Sequence, residues 1–376
     1  VRIEIPRLAL VVLVGAAGSG KSTFARARFK PTQVISSDFC RGLVADDEGD
    51  MSATAAAFEV LHLVVSLRLR RGRLTVVDAV NGRAADRRPL LDLAAAHDCP
   101  AVALVLDVEA DLCVQRDRER EGRAVGEAKV RAQCEAVRRS LPDLRDEGFD
   151  AVHVLPSVEA AQAAVVRLRP LPVDRRWERG PFDVIGDVHG CLDRLVALLD
   201  HLGYRVELGT DGEPVGAAHP AGRRAVLVGD LAGGGPDGPG VLRLVMGMVR
   251  AGAALCVRGD RDDELAASLT GDAAGFLAGL PSHLVLVGGT LVVTHAGIRR
   301  EMQGRDSPRV RRFCLVAEPG WAAAYRGRAL VVHGHDPVPS PRWLGRTLDL
   351  DTGCCSGGRL SALRHPELEL MSLPAQ

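Results

Sequence analysis

The 376-residue sequence is short of lysine: only Lys21, Lys30 and Lys129 occur, and every other basic residue is an arginine. A single arginine therefore says little about function, whereas a lysine at 21 stands out. Aromatic residues make up only 3%, which disfavours a single-strand binder built on stacked rings. Net charge is absent as well, since 48 Lys+Arg balance 48 Asp+Glu. That argues against bulk attraction to nucleic acid or to an anionic membrane, although a local basic groove is compatible with it. No CxxC pair occurs among the nine scattered cysteines (Cys40, Cys99, Cys113, Cys134, Cys191, Cys256, Cys314, Cys354, Cys355). Neither a zinc ribbon nor a disulfide framework is suggested, and a reducing, cytoplasmic setting fits. No apolar run approaches the ~18 residues that span a membrane. The run Leu8–Val14 leads directly into a glycine-rich loop and reads as a buried strand rather than a signal peptide.

What is present is a globular balance, 47% hydrophobic and 26% charged. At roughly 100–200 residues per domain the length predicts two domains or three. The first half alternates strand-like runs (Leu8–Val14, Thr75–Val77, Ala101–Leu106, Val152–Leu155) with helical stretches (Ala53–Arg70, Glu127–Ser140, Ala160–Leu168). Such alternation predicts a mostly parallel sheet. The polar, proline-containing stretch RPLPVDRRWERGPFD, Arg169–Asp183, marks a boundary. The expected organisation is a first domain over 1–170, a linker over 171–182 and a second domain over 183–376. In the second half, strands are expected at Asp183–Ile185, Ala225–Val228, Ala254–Val257, Leu284–Val287, Thr290–Val293 and Ala329–Val332, with glycine-rich loops at Gly209–Gly222 and Gly233–Gly240.

Gly15-Ala16-Ala17-Gly18-Ser19-Gly20-Lys21-Ser22 matches G-x-x-x-x-G-K-[ST] between a strand and a helix. Glycines let consecutive backbone N–H groups converge on phosphate oxygens, and the following helix adds its dipole. Gly15, Gly18, Ser19, Gly20, Lys21, Ser22 and Thr23 are the expected nucleotide contacts, with Lys21 reaching the β/γ-phosphates and Ser22 ligating Mg²⁺. In Ile35-Ser36-Ser37-Asp38-Phe39-Cys40-Arg41, Asp38 suits a general base and Arg41, one turn on, suits an acceptor phosphate. The same spacing equally fits a helix-capping Asp with a surface Arg. The run Arg116-Asp117-Arg118-Glu119-Arg120-Glu121-Gly122-Arg123 reads as a solvated helix face or as a lid over the transferring phosphoryl group.

The second half carries Gly186-Asp187-Val188-His189-Gly190, Gly229-Asp230, Gly259-Asp260, Thr294-His295-Ala296-Gly297 and His333-Gly334-His335, each after a strand. Carboxylates and imidazoles at several strand ends suit two divalent metals that clamp a phosphate and generate hydroxide. Imidazole with carboxylate suits Mn²⁺ or a similar ion rather than Mg²⁺ alone.

The first half resembles the kinase domain of bacterial polynucleotide kinase-phosphatases in its P-loop, in ISSDFCRGLVADDEGDMSAT, in Asp78-Ala79-Val80-Asn81 and in the Arg116/Arg120/Arg123 spacing. The resemblance implies a P-loop parallel sheet with flanking helices that transfers phosphate from ATP, with Mg²⁺, to a 5′-hydroxyl. It implies Asp38 as base, Arg41 on the acceptor, and Arg116, Arg120 and Arg123 as lid. Val80 departs from the usual Thr. The second half, through DTGCCSGGRLSALRHPE, resembles the calcineurin-like metallophosphoesterases and the phosphatase domain of the same enzymes. That implies an αβ-sandwich with Asp187, His189, Asp230, Asp260, His295 and His335 as metal ligands and Asp351 in the active site. Two family patterns, GDxVDRGPD and GNH[DE], are broken: Gly233 and Gly234 stand for an Asp and a phosphate-clamping Arg, Asp260 for a bridging Asn and Arg261 for a catalytic His. A guanidinium can hold phosphate but cannot protonate a leaving alkoxide, so the resemblance implies a weak or altered phosphoesterase in which Arg261 has another part.

The leading expectation is polynucleotide end healing, a 5′-kinase joined to a 3′-phosphoesterase. Sealing would come from a separate ligase, since no lysine follows Lys129, and a homodimer is compatible with the sequence. Two readings compete: a kinase and phosphatase for a small nucleoside-like metabolite, mildly favoured by zero net charge and few aromatics, or a kinase carrying a degenerate phosphatase as scaffold.

Overall fold

The computed structural model describes residues 1–119 and 124–374. Its chain divides into two compact units, Val1–Leu171 and Pro172–Gln376. In the first, strands β1 (Arg2–Pro6), β2 (Leu10–Val14), β3 (Val34–Ser36), β4 (Thr75–Asp78), β5 (Ala101–Leu106), β6 (Ala151–Leu155) and β7 (Val165–Arg169) are laid down in chain order. Five form a parallel sheet in the order β3-β4-β2-β5-β6. Its central strands are apolar at nearly every position because helices cover both faces. Leu10, Val12 and Val14 face one core, and Val11 and Leu13 the other.

Two expectations fail here. Val165–Arg169 is a strand and not the end of a helix: the helix Val158–Ala163 stops, and the β-branched pair Val165-Val166 opens β7, which pairs in parallel with β1. The segment Met51–Arg70 is long and apolar enough to pass as a membrane span by length and composition, which run-length inspection missed because Glu59 and Arg68 interrupt it. Its buried stripe, Ala57, Leu61, Val65 and Leu69, recurs every four residues and packs into the core of this unit.

The second unit continues with β8 (Phe182–Ile185), β9 (Arg205–Leu208), β10 (Pro214–Ala218), β11 (Arg224–Leu227), β12 (Ala254–Cys256), β13 (His283–Leu286), β14 (Leu291–Thr294), β15 (Leu330–His333), β16 (Arg342–Leu344), β17 (Thr347–Asp349), β18 (Arg359–His365) and β19 (Glu369–Pro374). Two five-stranded sheets form, β12-β11-β8-β18-β19 and β13-β14-β15-β17-β16. They pack face to face through Phe182, Val184 and Val226 on one side and Leu286, Val293 and Val332 on the other. Alternation along the strands turns Ile185 and Leu227 to the opposite face, against the helices Leu192–Leu202 and Gly238–Arg250. This is an α/β domain followed by the expected αβ-sandwich. The stretch Gly209–Gly222 is not a plain loop, because β9 and β10 form a hairpin across it. After the unit boundary Val173 is buried, and its carbonyl accepts from Val285 N–H.

Candidate functional site

In the first unit the chain leaves β2 through the glycine loop and enters the helix Lys21–Arg28. Gly18 and Gly20 take φ of 77° and 94°, and a Cβ at Gly18 would collide with the Cys113 carbonyl, so the loop needs glycine there. Lys21 Nζ donates to the Gly15 and Ala16 carbonyls, both at 2.8 Å. The loop borders a cleft of about 1400 Å³ whose walls include Ser22, Asp38, Arg41, Asp78, Asn81 and Arg116. The cap expectation for Asp38 fails, because Ser36 is the N-cap and its Oγ accepts from Phe39 N–H at 3.4 Å. Asp38 sits in the first turn, with Arg41 Nη1 3.0 Å from its Oδ1. Arg41 is buried and also donates to the Glu48 carbonyl. Arg118 is exposed and paired with Glu127 at 2.6 Å. Arg120 and Arg123 lie outside the described residues.

Sequence inspection missed Asp78 as a functional group. It ends the apolar strand β4 and is buried beside Ser22. Burial pushes its carboxyl above the usual range, against the Ser22 hydrogen bond and the Lys21 charge. An Asp at a strand end next to a P-loop Ser is a Mg²⁺ position in nucleotide-binding sheets; the signal was the run Thr75-Val76-Val77 closing in Asp.

In the second unit Asp187 and His189 follow β8, Asp230 follows β11, Asp260 follows β12, His295 follows β14 and His335 follows β15. Ligand atoms of Asp187, Asp230 and His295 lie within 4.8 Å of one another, as do those of Asp260, His295 and His335. His295 joins the two groups: its Nε2 is 2.8 Å from Asp260 Oδ1 and 3.6 Å from Asp230 Oδ1. His335 Nδ1 is 3.1 Å from the same Asp260 oxygen, and His189 Nε2 is 3.5 Å from Asp230 Oδ2. His295 Nδ1 lies 3.1 Å from the Val228 carbonyl and 3.7 Å from Asp187 Oδ2, which leaves Nε2 to face Asp230 and Asp260.

His189, Asp230 and His335 all have positive φ (49°, 48° and 82°), a conformation uncommon outside glycine that clusters at functional sites. A Cβ at Gly334 would collide with Asp187 Oδ1, and one at Gly259 with Asp230 Oδ1. The glycines of the GH and GD pairs thus make room for the carboxylates.

The charges are unbalanced without cations. Burial drives the Asp187 and Asp230 carboxyls upward, and Asp187 Oδ1 has no hydrogen-bond partner. For Asp260 burial also pushes upward, but hydrogen bonds from His295 and His335 outweigh it and hold the carboxyl low. Burial lowers His295, yet Asp260, Asp187 and Asp230 together raise it to about 9. An orphaned, fully buried carboxylate oxygen beside hard-oxygen and imidazole donors fits divalent metals. Asp351 is buried close enough to Asp187 to push that carboxyl up further, and it belongs to neither ligand group. Asp262 was another miss: fully buried, it accepts from Gly259 N–H and Leu231 N–H, both at 3.0 Å. It thereby ties the Asp260 and Asp230 loops together; an acid three residues into a helix was the signal.

A family model described as an AAA domain matches residues 10–144, and one described as calcineurin-like phosphoesterase matches residues 180–361. The bis(5′-nucleosyl)-tetraphosphatase PrpE [asymmetrical] of Anoxybacillus flavithermus is 34% identical over 236 residues, covering 52% of this chain and 94% of that protein. The protein of the same name from Bacillus subtilis is 35% identical with the same coverage. A solved structure titled a putative diadenosine tetraphosphatase is 27% identical with a TM-score of 0.44, covering 54% of this chain and 97% of its own.

These matches overturn the polynucleotide kinase-phosphatase assignment and, with it, the expected nucleic-acid repair role. The relatives carry the name of hydrolases of small bis-nucleosyl tetraphosphates. The physical reason for the error is plain. The motifs that carried the resemblance contact phosphate and metal, and such contacts are the same whatever organic group the phosphate bears. Two weaker signals, zero net charge and scarce aromatics, pointed to a small substrate. With a third of the aligned positions identical over almost the whole of these relatives, the chain belongs to the PrpE family of calcineurin-like phosphoesterases.

Proposed function

We propose that the second unit is a metal-dependent hydrolase of dinucleoside polyphosphates, and that the first binds a nucleoside triphosphate and Mg²⁺ and passes a phosphoryl group to a hydroxyl of a small nucleoside-like acceptor. The observation that carries the first part is the double ligand group centred on His295 in a chain of this family. Asp187, His189, Asp230, Asp260, His295 and His335 would hold two ions, Mn²⁺ or similar. Such a pair, when bound, clamps a phosphate and supplies hydroxide near neutral pH. The chain's own groups do the rest. Val228 and Asp262 orient the ligand-bearing loops, and Asp351 acts as a positioning residue beside Asp187.

For the first unit, Lys21 would neutralise the β/γ-phosphates, Ser22 and Asp78 would hold Mg²⁺, and Arg116 would face the phosphates. Asp38 would accept the acceptor proton, oriented by Arg41. Asymmetric cleavage of a four-phosphate bridge yields a nucleoside triphosphate, which is the donor chemistry a P-loop accepts. The test is product analysis: the Mn²⁺-loaded chain should convert bis(5′-adenosyl) tetraphosphate to one triphosphate and one monophosphate. Persistence of the dinucleotide would refute the hydrolase part.

A further inference from the structure

Beside the ligand groups lies a cavity of about 550 Å³ whose walls include His189, Gly233, Gly234, Arg261, Glu264 and Cys355. Arg261 is the one Lys or Arg among its lining residues. Its backbone is fixed, since the Arg261 N–H donates to Asp230 Oδ1 at 3.0 Å. Its guanidinium reaches outward: the side chain is 59% exposed and lies 3.3 Å from Glu264, an exposed pair worth little. Gly233 and Gly234 line the same cavity and present no side chain to it. A phosphate chain entering this cavity therefore meets one permanent cation anchored beside a metal-ligand carboxylate.

The chemistry of a guanidinium bears directly on the leaving group. A guanidinium offers hydrogen-bond donors only and does not serve as a proton donor to a leaving oxygen. It can pair bidentately with a phosphate dianion. An alkoxide, whose conjugate acid is far weaker than a phosphate's, needs a proton to depart. A terminal phosphate oxygen, with a second pKa of about 6, leaves as the anion. We propose that Arg261 holds the departing phosphate of a phosphoanhydride and so restricts this unit to anhydrides over phosphomonoesters of alcohols. This deepens, and rests on, the hydrolase function proposed above. In the step, a water oxygen bonds to phosphorus and the bridging P–O bond breaks. The bridging oxygen keeps the electron pair against Arg261, and the water proton goes to solvent.

The experiment compares the wild-type metal-loaded chain with Arg261→Lys, Arg261→Gln and Arg261→His. Binding of inorganic tripolyphosphate is read by calorimetry, metal content by elemental analysis, and kcat/KM on bis(5′-adenosyl) tetraphosphate and on adenosine 3′-monophosphate. R261Q should weaken tripolyphosphate binding about 10- to 100-fold, as expected for lost charged hydrogen bonds, at unchanged metal content. R261K should fall between, and R261H should raise monoester cleavage relative to anhydride cleavage tenfold or more. Wild-type binding by R261Q, or equal wild-type cleavage of monoester and anhydride, would overturn the assignment. If the wild type cleaves no anhydride, the hydrolase function itself fails, and the tripolyphosphate series still decides whether Arg261 holds phosphate.

Discussion

Asp260 Oδ1 lies 2.8 Å from His295 Nε2 and 3.1 Å from His335 Nδ1. One carboxylate oxygen thus stands between two imidazoles that arrive from different strands. It does so at a position where related metallophosphoesterase motifs carry a neutral amide, which makes this centre more negative and favours retention of cations.

Metal binding should therefore be tight and coupled to protons. Because the surrounding carboxylates raise His295 to about 9 in the metal-free protein, loading must displace a proton from it. Apparent Mn²⁺ affinity should rise with pH up to about 9 and fall below it, in calorimetric titrations across buffers of different ionisation enthalpy. His295→Ala should lower affinity about 100-fold or more, and Asp262→Asn, by loosening two loops, should lower it less. An affinity independent of pH would contradict the protonated His295.

The cradle in the first unit should separate binding from transfer. Lys21→Ala should weaken nucleoside triphosphate binding about 10- to 100-fold. Asp38→Ala should leave binding intact while slowing transfer to a small hydroxyl acceptor about 10²- to 10⁴-fold. Equilibrium dialysis with a slowly hydrolysed triphosphate, run beside product labelling, reads the two effects apart. Transfer that survives in Asp38→Ala would remove Asp38 as the base.

Acid should destabilise the second unit through His283. This ring is fully buried, and Gly304 N–H donates to its Nε2 at 2.9 Å, so it must stay neutral with that nitrogen as acceptor. Burial depresses it to about 3, against roughly 6.5 in the unfolded chain. Between those values the unfolded state binds the extra proton. Stability is therefore complete above pH 6.5 and declines as pH falls toward 3. His283→Gln, which keeps an acceptor for Gly304, should flatten the melting-temperature profile over that window; an unchanged slope would assign the acid sensitivity elsewhere.

Arg87 should matter more than any surface arginine. Wholly buried, it forms a forked pair with Glu147 at 2.5 and 2.8 Å and donates to the Asn81 carbonyl at 2.8 Å. Asn81 Nδ2 in turn donates to the Leu13 carbonyl just before the cradle. Arg87→Ala strands the Glu147 charge and should cost about 3–5 kcal/mol in denaturant unfolding. Replacing both partners by apolar residues should cost less.

Phosphate and metal chemistry was legible in the sequence because it depends on residues at fixed spacing. Strand-Gly-x4-Gly-Lys-Ser can be read from one stretch, and so can each Gly-Asp or Gly-His pair. The joining of Asp187, Asp230, Asp260, His295 and His335 around two positions rests on pairing between strands distant in sequence, which no local pattern carries. The strand β18 escaped for a related reason: Ala362–His365 pairs with β8, far away in sequence. Asp78 and Asp262 were visible as letters, but only burial beside Ser22 or beneath two ligand loops gives them roles. The substrate was the least legible feature, since the surface that contacts a phosphate does not record what the phosphate is attached to.

The most direct measurement is loss of bis(5′-adenosyl) tetraphosphate with Mn²⁺ for three forms of the full chain: wild type, His295→Ala and Lys21→Ala. Cleavage to triphosphate and monophosphate by wild type and Lys21→Ala, with His295→Ala slower by about 10²-fold or more, is the result expected of a hydrolase seated in the second unit. Cleavage that survives in His295→Ala, or its absence from the wild type, would contradict that account.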